Sequence, residues 1–272
     1  MTTHFSNGVT NVRGKQGDTS LWSGIKQPLN TGGELEEVAY QDDFVQFSRA
    51  TNGPWDLTGP TGSAYILAQY PMGWLRIGDA VPAAGEVNGL SSKEVWQYNS
   101  GKKLWFEARF SITSVANYNT FIGLALNGFV DPATVPTDCI GFSHLEDTTS
   151  IQFLSYKNGA GVSKTLPTTA TAGYATETAY ALSDSTVPAQ AAGTFAMPNN
   201  SVRVGFLFEP AGSELGQTSA QYKIYLDGSL VSTQAASTVP DDEQMEVKIF
   251  TESKGTTAND LNVDYVRLIQ QR

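Results

Sequence analysis

The sequence predicts an all-β protein, an antiparallel sandwich of two packed sheets, and three observations support this. Apolar and polar residues alternate along several stretches, which is the period of a strand with one buried and one exposed face. Glycine, proline, asparagine and aspartate cluster between these stretches, as turns require. The stretches recur at short spacing with no linker to divide them, so they close most simply as one two-sheet domain.

The strand signals run in order from about residue 40. The weaker signals lie at 44–47, 64–70, 74–77 and 94–98. The stronger strands are predicted at 104–112, 120–126, 139–144, 150–156, 202–208, 245–251 and 261–269. In 104–112, for example, Phe106 and Phe110 belong to the core set and Trp105 and Arg109 to the opposite face. The four consecutive strands between 104 and 156 predict a meander.

One hairpin is specified by its turn. Two alternating stretches, at 221–226 and 229–233, are separated only by Asp227 and Gly228. Asp-Gly supplies the two positive φ angles that a type I′ turn demands, so a two-residue hairpin is predicted here.

The first 39 residues are predicted to be an extended N-terminal arm, and residues 40–272 the sandwich. The arm has scattered apolar residues without a period, so it has no core of its own and is expected to gain shape only by docking onto another polypeptide. Its expected anchors are Phe5, Val9, Val12, Trp22, Ile25 and Leu29. A Thr- and Ala-rich segment at about 165–198 is predicted to be a long loop excursion from the sheet.

Composition excludes several functions. The net charge of −10 disfavours nucleic acid as a partner, because phosphate would be repelled. The single cysteine, Cys139, cannot form a disulfide within the chain. No secretion signal or membrane-spanning segment is recognised, so we expect synthesis and folding in the cytoplasm and no membrane partner.

The sequence shows no catalytic machinery, and we expect a protein that is not an enzyme. Retaining glycosidases need two carboxylates about 5 Å apart. The nearest approaches, Glu34 with Glu36 and Glu243 with Glu246, lack either a third acid or strand alternation. With two histidines and one cysteine, no metal site and no cofactor is expected. Calcium stays an alternative through the loop residues Asp131, Asp138, Asp147 and Asp260, although loop aspartates more often serve turns.

The strands quoted above, with Tyr225-Leu-Asp-Gly228 and the closing Val263-Asp-Tyr-Val-Arg267, resemble the concanavalin A-like (laminin G-like) jelly-roll sandwich over roughly residues 40–272. This resemblance implies fold, since the architecture hosts lectins, hydrolases and structural proteins. Residues 1–12 followed by such a sandwich also resemble head-decoration (cement) proteins of tailed bacteriophages. That second resemblance implies a homotrimer on the outer surface of the virion, bound to the major capsid protein.

The leading hypothesis is therefore a non-enzymatic capsid decoration protein that stabilises contacts between capsomers. The alternative is a carbohydrate-binding, lectin-like module, which a virion could carry for adhesion to the host. In that alternative the residues expected to stack on sugar rings are Trp105, Trp96 and Tyr98. A third hypothesis, an unusual hydrolase, predicts the release of reducing ends from β-glucans.

Overall fold

The fold is given by a computed structural model. It describes residues 21, 37–44, 53–60, 64–68, 74–79, 82–112, 118–146, 148, 150–166, 201–213, 216–256 and 259–271. Within these ranges every regular element is a β-strand. The described part of the chain offers no apolar helix of membrane-spanning length.

Fifteen strands follow one another along the described ranges. They are β1 Glu37–Asp42, β2 Trp55–Thr58, β3 Ala64–Ala68, β4 Trp74–Asp79, β5 Val87–Gln97, β6 Leu104–Ile112, β7 Tyr118–Leu126, β8 Cys139–His144, β9 Ile151–Lys157, β10 Ala160–Thr165, β11 Val202–Glu209, β12 Gln221–Leu226, β13 Ser229–Ala235, β14 Gln244–Ser253 and β15 Asn259–Gln271.

The strands form two antiparallel sheets. The first has the order β13-β12-β11-β6-β15-β4-β3, with β1 paired to the later part of β15. The second has the order β10-β9-β8-β7-β14-β5-β2. The meander predicted in the middle of the chain is confirmed for β7 to β9, whereas β6 lies in the other sheet. The all-β class and the two-sheet sandwich are confirmed.

The core lies between the sheets and is rich in aromatic rings. Phe106 and Phe206 of the first sheet stack at 5.5 Å between ring centroids, and Phe206 lies 6.2 Å from Phe142 of the second. The hydroxyl of Tyr222 is buried in this core. It is satisfied by a hydrogen bond with Ser155 Oγ across the sandwich, at 2.9 Å. Alternation in the sequence predicted these inward faces because apolar residues two apart share one side of a strand.

The predicted hairpin is confirmed at its turn. Asp227 and Gly228 have φ angles of 47° and 84°, as a type I′ turn requires. The turn is also tied to the neighbouring strand. The backbone N–H of Asp227 donates to the carbonyl of Arg203 at 2.7 Å, and the N–H of Arg203 donates to the Asp227 carboxylate at 2.9 Å.

Some strands depart from the sequence prediction. β5 starts at Val87 rather than residue 94. Within it, Gly89 packs under the ring of Phe250, where a side chain would collide. β10 is an exposed edge strand without alternation and gave no signal. β1 begins at Glu37 and pairs with β15, so three residues assigned to the arm belong to the sandwich.

The outer face of the first sheet is more buried than alternation predicts. Trp105 is 1% exposed and packs with Leu207, Tyr225 and Leu21. Leu21 is the single described position before β1, and it is 2% exposed on the chain's own sandwich. Leu21 therefore packs on the chain's own sandwich, while docking of the arm onto another polypeptide stays a prediction.

Other predictions about the arm and the long loop lie outside the described residues. The anchors Phe5, Val9, Val12, Trp22, Ile25 and Leu29 all belong to that part of the chain, as does the excursion beyond residue 166.

Candidate functional site

A polar pocket of about 530 Å³ opens on the outer face of the first sheet. It is lined by three arginines, three aspartates, a serine and a tyrosine. They are Asp43, Arg109, Ser201, Arg203, Asp227, Asp264, Tyr265 and Arg267. Most of them sit on three adjacent strands and a tight turn, so the pocket is built on rigid backbone.

Strand register sorts this outer face into rows. Leu207, Trp105 and Ile269 form one row across β11, β6 and β15, and these side chains belong to the apolar cluster that holds Leu21. Two rows further along the strands, Arg203, Arg109 and Tyr265 face the pocket. The face is therefore apolar at one end and polar at the other.

The row between them contains Gly205, Glu107 and Arg267. Gly205 leaves room for Leu21: a Cβ there would approach the Leu21 side chain to 2.5 Å. Glu107 stays buried on the same row, and Arg267 extends into the pocket.

A β-bulge shapes the pocket. The register of β15 on β6 shifts between Val263 and Tyr265, which leaves Asp264 as an extra residue. Val263 and Val266 both point into the core, so Asp264 and Tyr265 lie between two inward residues and line the pocket together. Bulges commonly re-aim side chains at functional sites.

Arg109 organises one wall of the pocket. Its guanidinium donates to the carboxylate of Asp264 at 3.1 Å and to Ser201 Oγ at 3.0 Å, and it lies over the buried ring of Trp74. Burial raises the pKa of Asp264 above the usual aspartate range, and the charge of Arg109 opposes this shift. The pair places a donor and an acceptor side by side.

Tyr265 and Arg267 line the pocket from β15. The Tyr265 hydroxyl donates to Glu107 Oε1 at 2.7 Å, and Arg267 lies over the tyrosine ring at 4.3 Å. Burial raises the pKa of Tyr265, and the neighbouring Glu107 carboxylate raises it further, so the phenol stays protonated.

The residues predicted to stack on sugar lie elsewhere. Trp105, Trp96 and Tyr98 are 1%, 7% and 2% exposed. Trp105 is covered by Leu21, while Trp96 and Tyr98 belong to the main core, so none offers an open ring face. The prediction that these three residues stack on sugar is therefore wrong: Trp105 does lie opposite the core, but Leu21 covers it there.

Three of the aspartates considered for calcium already have partners. Asp131 accepts the N–H of Ala133, Asp138 that of Asn158, and Asp260 pairs with Arg76 at 2.6 Å. The fourth, Asp147, lies outside the described residues. Within the described ranges no group of three or more His, Cys, Asp or Glu side chains could hold a metal ion.

Comparison with known proteins identifies the fold. No family model matches the chain, and no curated protein matches it. Arcelin-5, a lectin-like defence protein from Phaseolus vulgaris, is 9% identical, with a TM-score of 0.50 over 87% of this chain and 99% of that one. The metal-free carbohydrate recognition domain of Emp46p is 10% identical, with a TM-score of 0.50 over 84% and 94%.

A third similar structure is described as belonging to endo-acting O-glycanases, expressed by prominent members of the human gut microbiota, that initiate mucin breakdown. It is 12% identical, with a TM-score of 0.50 over 86% of this chain and 99% of that chain. These likenesses show a lectin-like, concanavalin A-like β-sandwich. At such low identity they show the fold alone, and function must be argued from the pocket.

Proposed function

We propose that this chain is a carbohydrate-binding, lectin-like module that binds a sugar in the pocket of the first sheet. The observation that carries the proposal is the pocket itself, because it combines charged donors, charged acceptors and a tyrosine on rigid strands. Two of the similar structures are described as lectin-like or as a carbohydrate recognition domain, which agrees with the proposal at the level of fold.

The chemistry of the pocket suits a sugar. Neighbouring hydroxyls of a sugar both donate and accept hydrogen bonds, so they need donors and acceptors close together. Arg109 supplies N–H donors and Asp264 supplies acceptor oxygens within 3.1 Å of one another. Ser201, which can donate or accept, lies on the other side of the Arg109 guanidinium.

We propose binding without catalysis. A glycosidase needs an acid and a base or nucleophile free to act on the bond. In the pocket, Asp264 is held by Arg109 and Asp227 accepts the N–H of Arg203, so these two carboxylates have structural partners. Because one similar structure is described as a glycanase, release of reducing ends should be assayed alongside binding.

A glycan array followed by calorimetry on the glycans that bind tests the proposal. We expect Asp264→Asn to weaken binding at least tenfold, since it weakens the Arg109 pair and changes an acceptor. Asp260→Asn is the matched control: Asp260 lies on the same strand and is also paired with an arginine, Arg76, but outside the pocket. It should bind as the unsubstituted protein does.

The proposal fails if the protein binds no glycan, or if both variants bind equally well. Release of reducing ends that Asp264→Asn abolishes would contradict the absence of catalysis while keeping the site.

The capsid role stays a prediction that these observations do not test. It requires attachment of the chain, as a homotrimer, to the major capsid protein on the outer surface of a virion. Removing residues 2–35 should abolish attachment to capsids if the arm makes those contacts. Full occupancy by the shortened chain would contradict the arm hypothesis.

A further inference from the structure

The geometry points to an acidic sugar as the ligand: we propose that Arg203 and Arg267 bind a sugar carboxylate. This inference rests on the proposed function and names the ligand class of the same pocket. It depends on a difference among the three arginines of the pocket. Arg109 is paired closely with Asp264, whereas Arg203 and Arg267 have capacity for further hydrogen bonds.

The cation of Arg203 has spare hydrogen-bonding capacity. Among the described residues, no hydrogen bond or ion pair reaches its guanidinium. Its backbone is fixed by the turn, and the guanidinium extends over Gly228, where a Cβ would meet Nη2 at 2.5 Å. Its five N–H donors are therefore held at the pocket without an acceptor in the described part of the chain.

Arg203 also stands directly opposite another cation. It pairs in register with Arg109 on the neighbouring strand. Like charges at directly opposed positions destabilise a sheet, and of these two arginines it is Arg109 that forms the ion pair with Asp264. An anion placed beside Arg203 would relieve the repulsion that remains.

Arg267 is incompletely satisfied as well. Its Nε is buried without a hydrogen-bond partner, and its ion pair with Glu107 has a long separation of 4.0 Å. The same Glu107 oxygen already accepts the Tyr265 hydroxyl at 2.7 Å. The long separation from Glu107 leaves the terminal N–H groups of Arg267, which extends into the pocket, with capacity to bind an oxygen of a ligand.

A carboxylate would bind Arg203 and Arg267 more strongly than a neutral hydroxyl would. Guanidinium groups bind carboxylates through two parallel N–H···O bonds, and such charge-assisted bonds are about twice as strong as neutral ones. The Arg109–Asp264 pair remains for the hydroxyls of the same sugar. The protein's net charge of −10 opposes this little from a distance, because salt screens charges beyond about 8 Å, and within the pocket three arginines balance three aspartates.

The test compares each acidic glycan with its own neutral form. Oligosaccharides that contain uronic or sialic acid are titrated calorimetrically before and after reduction of the carboxyl group to a hydroxymethyl group. We expect the acid to bind at least tenfold more tightly, which is about 1.4 kcal/mol. Affinity for the acid should fall as NaCl rises, while affinity for the reduced form should not.

Arg203→Gln and Arg267→Gln should each abolish most of the preference for the acid. Arg76→Gln is the control, because Arg76 lies on the same sheet, paired with Asp260 outside the pocket, and should leave the preference intact. Equal affinity for the acid and its reduced form would overturn the inference while leaving the proposed function standing. Failure to bind any sugar would overturn both.

A measurement on the unsubstituted protein tests the same assignment without depending on whether the variants fold. Phenylglyoxal modifies accessible guanidinium groups, and mass spectrometry locates the modified arginines. The acidic glycan should protect Arg203 and Arg267, whereas Arg76 should react as it does without sugar. If the acid protects all three arginines equally or none of them, the assignment to this pocket is wrong.

Discussion

Replacing Leu21 by alanine tests whether the N-terminal segment is part of the sandwich. The Leu21 side chain is 2% exposed and packs on Trp105, Leu207 and Tyr225. If the contact forms in solution, the substitution should destabilise the whole domain. If the segment docks only onto another polypeptide, the free energy of unfolding of the isolated protein should not change.

The structure gives the expected size of the effect. Burying a leucine side chain contributes about 1.5–3 kcal/mol, and leucine-to-alanine substitutions in closed cores cost about 2–5 kcal/mol. Leu21 lies on the outside of a sheet, where water fills the space left by truncation. We therefore expect a loss of about 2 kcal/mol in the free energy of unfolding, or roughly 4 °C or more in Tm for a chain of this size.

Urea denaturation at neutral pH, followed by circular dichroism, measures this loss. Val135→Ala is the control, because Val135 is 50% exposed and its truncation should change stability by under about 0.5 kcal/mol. Gly205→Ala should also destabilise, since its Cβ would meet Leu21 at 2.5 Å, and part of that cost should vanish in the Leu21→Ala background. An unchanged urea midpoint for Leu21→Ala would refute the reasoning.

Two further predictions concern buried titratable groups. Burial alone would raise the pKa of Glu209, but hydrogen bonds from Gln221 and Lys223 and the charges of Lys223 and Lys103 outweigh it, so the pKa is lowered. The resulting stability is present above the ordinary glutamate pKa of about 4.3 and is lost as pH falls through the lowered pKa. Loss of charge-assisted hydrogen bonds in Glu209→Gln should thus cost about 2 kcal/mol at pH 7 in urea denaturation. A cost that persists undiminished at pH 2 would contradict this account. Burial likewise raises the pKa of the Cys139 thiol. A thiol reagent at pH 8 should therefore modify Cys139 only when the protein unfolds. Rapid labelling of the native protein would contradict the burial of this side chain.

Much of the fold could be predicted because the core obeys alternation. β6 and β8 have the bounds that the sequence predicted, and the Asp227-Gly228 turn has the φ angles that its residues require. These elements depend on local patterns, a period of two or a pair of turn residues, that neighbouring strands do not change. Strands such as β10, which is exposed on an edge and has no buried face, leave no such pattern.

The pocket could not be predicted in the same way, since its residues come from strands far apart in sequence. Arg109, Arg203 and Arg267 each occupy the polar face of a strand, where arginine is usual. Only one local signal was available. In Val263-Asp-Tyr-Val266 two residues separate the inward valines, which indicates the bulge that brings Asp264 and Tyr265 to the pocket.

The prediction of the sugar-stacking residues is wrong for a related reason. Alternation assigned Trp105 correctly to the face opposite Phe106, but at the position of Trp105 this face is covered by Leu21, which is far away in sequence. A period of two tells which residues share a face, and the rest of the chain decides whether that face meets water.

Nuclear magnetic resonance titration of the labelled protein with a glycan selected on the array tests the pocket most directly. The largest chemical shift changes should fall at residues 109, 203 and 264–267, with the arginine side-chain signals of Arg203 and Arg267 moving most. Changes concentrated instead on the outer face of the second sheet, around residues 118–156, would contradict the assignment of sugar binding to this pocket.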